Sequence, residues 1–135
     1  MKKFLIIIGV ILMSLANATF SNQPDKAHYI YKICKKSEWE AAKNQYTGNE
    51  RDQKDGYIHL SLSHQVERIA KKYYLGQNDL VLLKIPVSKI RSILKWSANS
   101  TGDLYPHLYG AITEADVDQV ISLTIQDFDF NSLEA

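Results

Sequence analysis

The sequence predicts a small α+β domain behind a signal peptide, and three observations carry that expectation. The first eighteen residues have the tripartite pattern of an export signal. Past them, two segments of strand period alternate with two segments of helical character, and further strands then follow one another directly. The remaining length of roughly 115 residues lies in the range where one core suffices.

The export reading rests on residues 1–18. Met1-Lys2-Lys3 is a basic start, Phe4 to Leu15 carries no charge, and Ala16-Asn17-Ala18 is an A-x-A cleavage site. A membrane-spanning helix needs roughly 20 apolar residues, more than this run supplies. Small polar residues follow it instead of a basic stop-transfer cluster. The mature protein is expected to be periplasmic or secreted, with no membrane attachment after cleavage.

Cleavage removes Lys2 and Lys3 and no acid, leaving fourteen basic and fifteen acidic residues, a net charge of −1. A near-neutral chain without a Lys/Arg stripe gives no nucleic-acid signal. The lone cysteine, Cys34, forms no internal disulfide, and its place in an apolar strand pattern marks it as buried and inert. No feature specifies an oligomeric state.

Residues 19–27 are polar and irregular, a flexible lead to a domain spanning 28–125. Tyr29, Tyr31 and Ile33 alternate with Ile30, Lys32 and Cys34, a first strand. Ser37-Glu38-Trp39-Glu40 fits a capping box, so a helix of about two turns should follow. Asn44 to Gly56 is polar, with Gly48 and Asp55-Gly56 as turn signals, and reads as the longest loop, a flap or binding loop. Tyr57 to Ser61 forms the second strand.

Ser63 is placed to cap a second helix. Its apolar residues Val66, Ile69, Ala70, Tyr73 and Tyr74 recur with helical spacing, and Gly76 suits its exit. Leu80 to Ile85 is apolar without alternation, the mark of a central strand covered on both faces, which Pro86 ends. Ile93 to Trp96 reads as a strand and Asn99 to Asp103 as a turn. Leu104 to Ile112 contains Pro106 and Gly110, so an edge strand or structured loop is expected there. Val117 to Leu123 is the last strand, and 126–135 an acidic, loosely held tail.

Imidazole is the side chain most ready to exchange protons near neutral pH. His28 precedes the first strand and reads as exposed. His64 sits on the polar side of the second helix. His59 lies inside a strand, where the period of two sets it beside Tyr57 and Ser61 and opposite Ile58 and Leu60. With Ile58 and Leu60 in the core, Tyr57, His59 and Ser61 present a ring, an imidazole and a hydroxyl in one row; the plain alternative is a half-exposed strand. His107 lies in Tyr105-Pro106-His107-Leu108-Tyr109-Gly110, rich in groups that stack and hydrogen-bond, and a packed aromatic turn is the equal alternative. No metal-ligand spacing, P-loop, dinucleotide fingerprint or G-x-S-x-G elbow is present.

Several segments together resemble a bacterial family, domain of unknown function 952. They are Tyr31-Lys32-Ile33, Glu38-Trp39, Asp55 to Ser61, Asp79 to Leu83, Trp96 and Pro106 to Gly110, and the resemblance spans about residues 29–124. It implies an ADP-ribosyltransferase-like fold, a split and mostly antiparallel sheet with two main helices that grips NAD or a related nucleotide. On that implication His59 and His107 are candidate catalytic groups, while Lys32, Tyr57, Ser61 and Tyr109 are candidate ligand-binding groups, with no metal. The chain departs from the family where Lys32 replaces a usual histidine and Lys84 an acidic residue. No glutamate matches the one that stabilises the ribosyl cation in transferases. An ADP-ribosyl or nucleotide-processing enzyme therefore stands beside a non-catalytic module that holds a small ligand or peptide in the same cleft.

Overall fold

A computed structural model describes residues 26–135, so the expected signal peptide and most of the lead lie outside the described residues. Strand β1 (Tyr29–Lys35) leads into α1 (Lys36–Ala42), followed by α2 (Glu50–Asp55) and the very short β2 (Ile58–His59). Helix α3 (Val66–Tyr73), β3 (Leu80–Pro86), the single turn α4 (Val87–Ile90), β4 (Leu94–Ala98), β5 (Leu104–Leu108) and β6 (Gln119–Leu123) complete the chain.

The strands form two antiparallel three-stranded sheets, ordered β1-β3-β6 and β2-β5-β4. The join between them is narrow. Tyr31 and Ser61 exchange both backbone hydrogen bonds, at 2.8 and 2.9 Å, just past the end of β2. The two sheets therefore touch at one edge and diverge from there.

The period of two in β1 sorts its side chains as expected. Ile30 and Cys34 enter one apolar cluster with Ile58, Leu60, Leu83, Ile85 and Leu108, between the sheets. Tyr31 and Ile33 enter a second cluster with Val66, Ala70, Leu80 and Leu82, under α3. Strand β3 feeds both clusters, which is why its sequence shows no alternation: each face of the central strand is covered. The Cys34 thiol is buried, and burial pushes its pKa up to about 12, so it is inert.

Three expectations about the helices and their caps need correction. The polar stretch from Asn44 to Gly56 is not a plain loop, because it contains α2. The Asn49 side chain accepts from Asp52 N–H at 2.9 Å, the Asp52 carboxylate accepts from Asn49 N–H at 2.9 Å, and Gly56 ends the helix at φ +84°. Helix α1 is not capped by Ser37: it starts one residue earlier, and its Lys36 N–H is satisfied by the Asp79 carbonyl at 2.8 Å. Ser63 likewise does not cap α3. A 3₁₀ turn precedes that helix, and the Gln65 side chain takes the Leu62 N–H at 2.9 Å.

The larger corrections concern Pro106 and the tail. Strand β5 is central in its sheet, not an edge. Pro106 is tolerated there because its carbonyl, and with it the position of its missing N–H, faces Leu60, where regular β2 has already ended. The tail is docked. Phe128, Phe130 and Leu133 pack on the second cluster, and Glu134 accepts from Tyr31 Oη through its carbonyl and from Lys84 Nζ through its carboxylate.

Candidate functional site

Strands β2 and β5 pair so that His59 stands directly opposite His107. Their ring centroids are 5.6 Å apart, edge to face. Tyr57 stacks on His107 at 4.0 Å with planes 16° apart, and lies 4.7 Å from the His59 ring. Two segments separated by nearly fifty residues thus share one aromatic wall, opposite the core face that holds Ile58, Leu60 and Leu108.

That wall borders a cavity of about 280 Å³ at the divergence of the two sheets. His59, Ser61 and His107 line it, together with Arg51 from α2, Arg68 and Lys72 from α3, and the rings of Tyr57, Tyr73 and Tyr105. The Arg51 guanidinium lies 4.2 Å over the Tyr73 ring. Asp55 is the one acidic side chain in the lining, and among the described residues no glutamate borders the cavity.

His59 is held from behind by Asp52, a residue that the sequence pattern did not single out. The Asp52 Oδ1 atom lies 2.6 Å from His59 Nδ1 and accepts the His59 backbone N–H at 3.0 Å. Its Oδ2 accepts from Lys32 Nζ at 2.7 Å and from Asn49 N–H at 2.9 Å. Lys32 also donates to the His59 carbonyl at 3.2 Å. Asp52 and Lys32 are 1% and 3% exposed, so the pair is buried and each charge depends on the other.

Burial alone would raise the Asp52 carboxyl. The hydrogen bond from the His59 ring, the Lys32 charge and the hydrogen bonds from His59 N–H and Lys32 outweigh that, holding it well below the usual carboxylate range. Burial pushes the Lys32 ammonium below its ordinary value, and Asp52 opposes the shift. An ionised carboxylate only accepts, so the His59 ring donates from Nδ1 to Asp52 and turns Nε2 outward. By the same rule Nε2 donates to the Asp55 carboxylate, which lies 2.9 Å away and is 38% exposed.

His107 differs in every respect. Burial, then repulsion from His59 and Arg51, holds its pKa below the ordinary value, so the ring is neutral. Its Nδ1 is buried with no hydrogen-bond partner among the described residues. An orphaned lone pair costs less than an orphaned N–H, which favours the tautomer with its hydrogen on Nε2. One wall therefore carries an imidazole supported by a carboxylate and a neutral imidazole able to donate.

Residues 33–121 match the family described as protein of unknown function DUF952. The chain belongs to this family. The crystal structure of protein CC0527 from Caulobacter crescentus is similar to it at 38% identity with a TM-score of 0.69, covering 71% of this chain and 86% of that one. The solution NMR structure of CC0527 gives 38% identity and a TM-score of 0.63, over 70% and 84% of the two chains. No curated protein matches the chain.

The stretch matched to DUF952 contains His59, Ser61, His107 and Tyr109, with Lys32 one residue ahead of it. In this DUF952 chain the sequence-derived candidates do not all reach the cavity. Tyr57, His59, Ser61 and His107 come together on the cavity. Lys32 reaches it too, but its ammonium is committed to Asp52. Tyr109 is absent from the lining and backs the wall, its ring 5.4 Å from that of Tyr57. His28 and His64 are exposed, away from the cavity.

Arg51, Arg68, Lys72 and Asp52 were missed by sequence reasoning. The first three are ordinary surface cations until the fold brings α2 and α3 to the same cavity. Asp52 was legible in principle, since Asn49 followed three residues later by Asp52 is a capping pattern.

Proposed function

We propose that the cavity is the binding site of a small phosphorylated ligand of nucleotide or NAD-like type. The observation that carries this reading is the convergence of donors on one hollow: Arg51, Arg68, Lys72, Ser61 and the two paired histidines surround it, beside flat aromatic rings. Cationic groups suit phosphate, the rings of Tyr57, Tyr73 and Tyr105 offer stacking surface for a base, and Ser61 suits a ribose hydroxyl. The family resemblance to an ADP-ribosyltransferase-like fold points the same way and makes NAD and ADP-ribose the first ligands to test.

On the enzymatic form of this proposal, His59 is the proton-transferring group, oriented by Asp52, and His107 is a neutral hydrogen-bond donor to developing negative charge. A second reading, a binding module without turnover, is favoured by one observation: no glutamate borders the cavity to stabilise a ribosyl cation. Export, inferred from residues 1–18, places either activity outside the cytoplasm.

The test is calorimetry of the chain from Thr19 onward with NAD, ADP-ribose, ADP and a short RNA, followed by chromatography of any product. Binding that His59→Ala weakens supports the site, and product formation selects the enzyme. No heat with any of these ligands would overturn the proposal.

A further inference from the structure

Asp55 is at odds with its setting. Every other charged side chain in the cavity lining is cationic, yet its carboxylate lies 2.9 Å from Nε2 of His59, the ring atom that Asp52 leaves free. The two carboxylates on this ring are not equivalent. Asp52 is 1% exposed and tied by four polar contacts, whereas Asp55 is 38% exposed and stands at the last residue of α2, just before the left-handed Gly56. Its charge also reaches Tyr57 and His107, the other members of the wall. An anion therefore already sits among the groups that converge on this hollow, and it belongs to the protein.

We infer that the Asp55 carboxylate occupies the seat of the ligand's own phosphate, and that a terminal phosphate binds against His59 Nε2 and the Arg51 guanidinium by displacing it. This rests on reading the cavity as a nucleotide site and adds where the anion goes and what competes for the place. Two anions cannot share one cationic seat without strong repulsion, so the side chain swings outward when the phosphate arrives. Asp52 is not displaced, because its partners are buried and leaving would strand the Lys32 charge. Asp55 is then a selectivity device. It holds out weak anions, and it yields to a phosphate that Arg51, Arg68 and Lys72 can also neutralise.

The experiment compares ADP and adenosine as probes for the wild-type chain, Asp55→Ala and the isosteric Asp55→Asn, with the melting temperature of each recorded to confirm folding. Expected is ADP binding about tenfold tighter to both variants than to wild type, with the gain shrinking at high salt and adenosine gaining nothing. ADP binding that is unchanged or weaker in both variants, with wild-type binding intact, overturns the displacement and leaves the nucleotide site standing. If neither wild type nor either variant binds ADP, the site and the displacement fall together.

Discussion

Asp52 Oδ1 stands 2.6 Å from His59 Nδ1, while its Oδ2 stands 2.7 Å from Lys32 Nζ. One buried carboxylate therefore ties α2, β2 and β1 together at the point where the two sheets part. It sets the orientation of the histidine that faces the cavity, and it neutralises a lysine that would otherwise be an unpaired buried charge.

Removing that carboxylate is expected to cost far more than one surface contact. Asp52→Ala strands Lys32 in the core and should destabilise the fold by about 3–5 kcal/mol, seen as a lower urea midpoint. The effect depends on pH with a definite sign. The folded-state pKa of Asp52 is depressed, so its contribution is full above the unfolded carboxylate value and is lost as pH falls through the range below it. The gap between wild type and Asp52→Asn should be constant from pH 7 to about 5 and narrow below about pH 4. A gap that stays constant down to pH 2 would contradict the ion pair.

His107 gives a dependence at higher pH. Its folded pKa is lowered, so the unfolded chain binds the extra proton and stability falls as pH drops below about 6.5. The groups that set this are burial, His59 on β2 and Arg51 on α2, opposed by Asp55. His107→Phe keeps a ring to stack on Tyr57 and removes the titration. Its melting temperature should change less than that of wild type between pH 7.5 and 5.5, and an identical change in both proteins would refute the neutral ring.

Gly48 is needed for close approach. It adopts φ +99°, and a Cβ there would lie 2.4 Å from the Asp52 Cβ. Gly48→Ala should push α2 off β2 and cost about 1–3 kcal/mol from backbone strain alone. In NMR spectra the His59 ring signals should shift, since Asp52 moves with the helix. Unshifted signals would show that the helix absorbs the methyl group.

Deleting residues 127–135 uncovers part of the second cluster, because Phe128, Phe130 and Leu133 leave it. The loss should be about 2–4 kcal/mol, dominated by apolar area. Glu134→Ala should lose under ~1 kcal/mol, because that carboxylate is largely exposed and its bond to Lys84 is screened. Thermal denaturation of the two variants checks both, and a larger loss from Glu134→Ala than from the deletion would reverse the assignment.

Export predicts a mature protein beginning at Thr19. Mass spectrometry of the periplasmic and culture fractions of an expressing bacterium should find a chain lacking residues 1–18, and an intact Met1 there would rule out cleavage.

What the sequence determined by itself was local in physical origin. Alternation in β1 sorted Ile30 and Cys34 from Tyr31 and Ile33, and the unbroken apolar run of β3 marked a strand covered on both faces, because burial of one face or two writes itself directly into residue order. The side of β2 that carries Tyr57, His59 and Ser61 followed from the same rule. Helix α2 escaped notice because Glu50 to Asp55 has no apolar stripe: its hold on the fold is a cap at Asn49 and a buried ion pair with Lys32, which lies twenty residues away. Only the tertiary structure decided that His59 meets His107, that Pro106 sits in a central strand and that Arg51, Arg68 and Lys72 surround one hollow. Those relations depend on strand register and on where α2 and α3 sit around the cavity, and such long-range placement leaves no periodic trace in the chain.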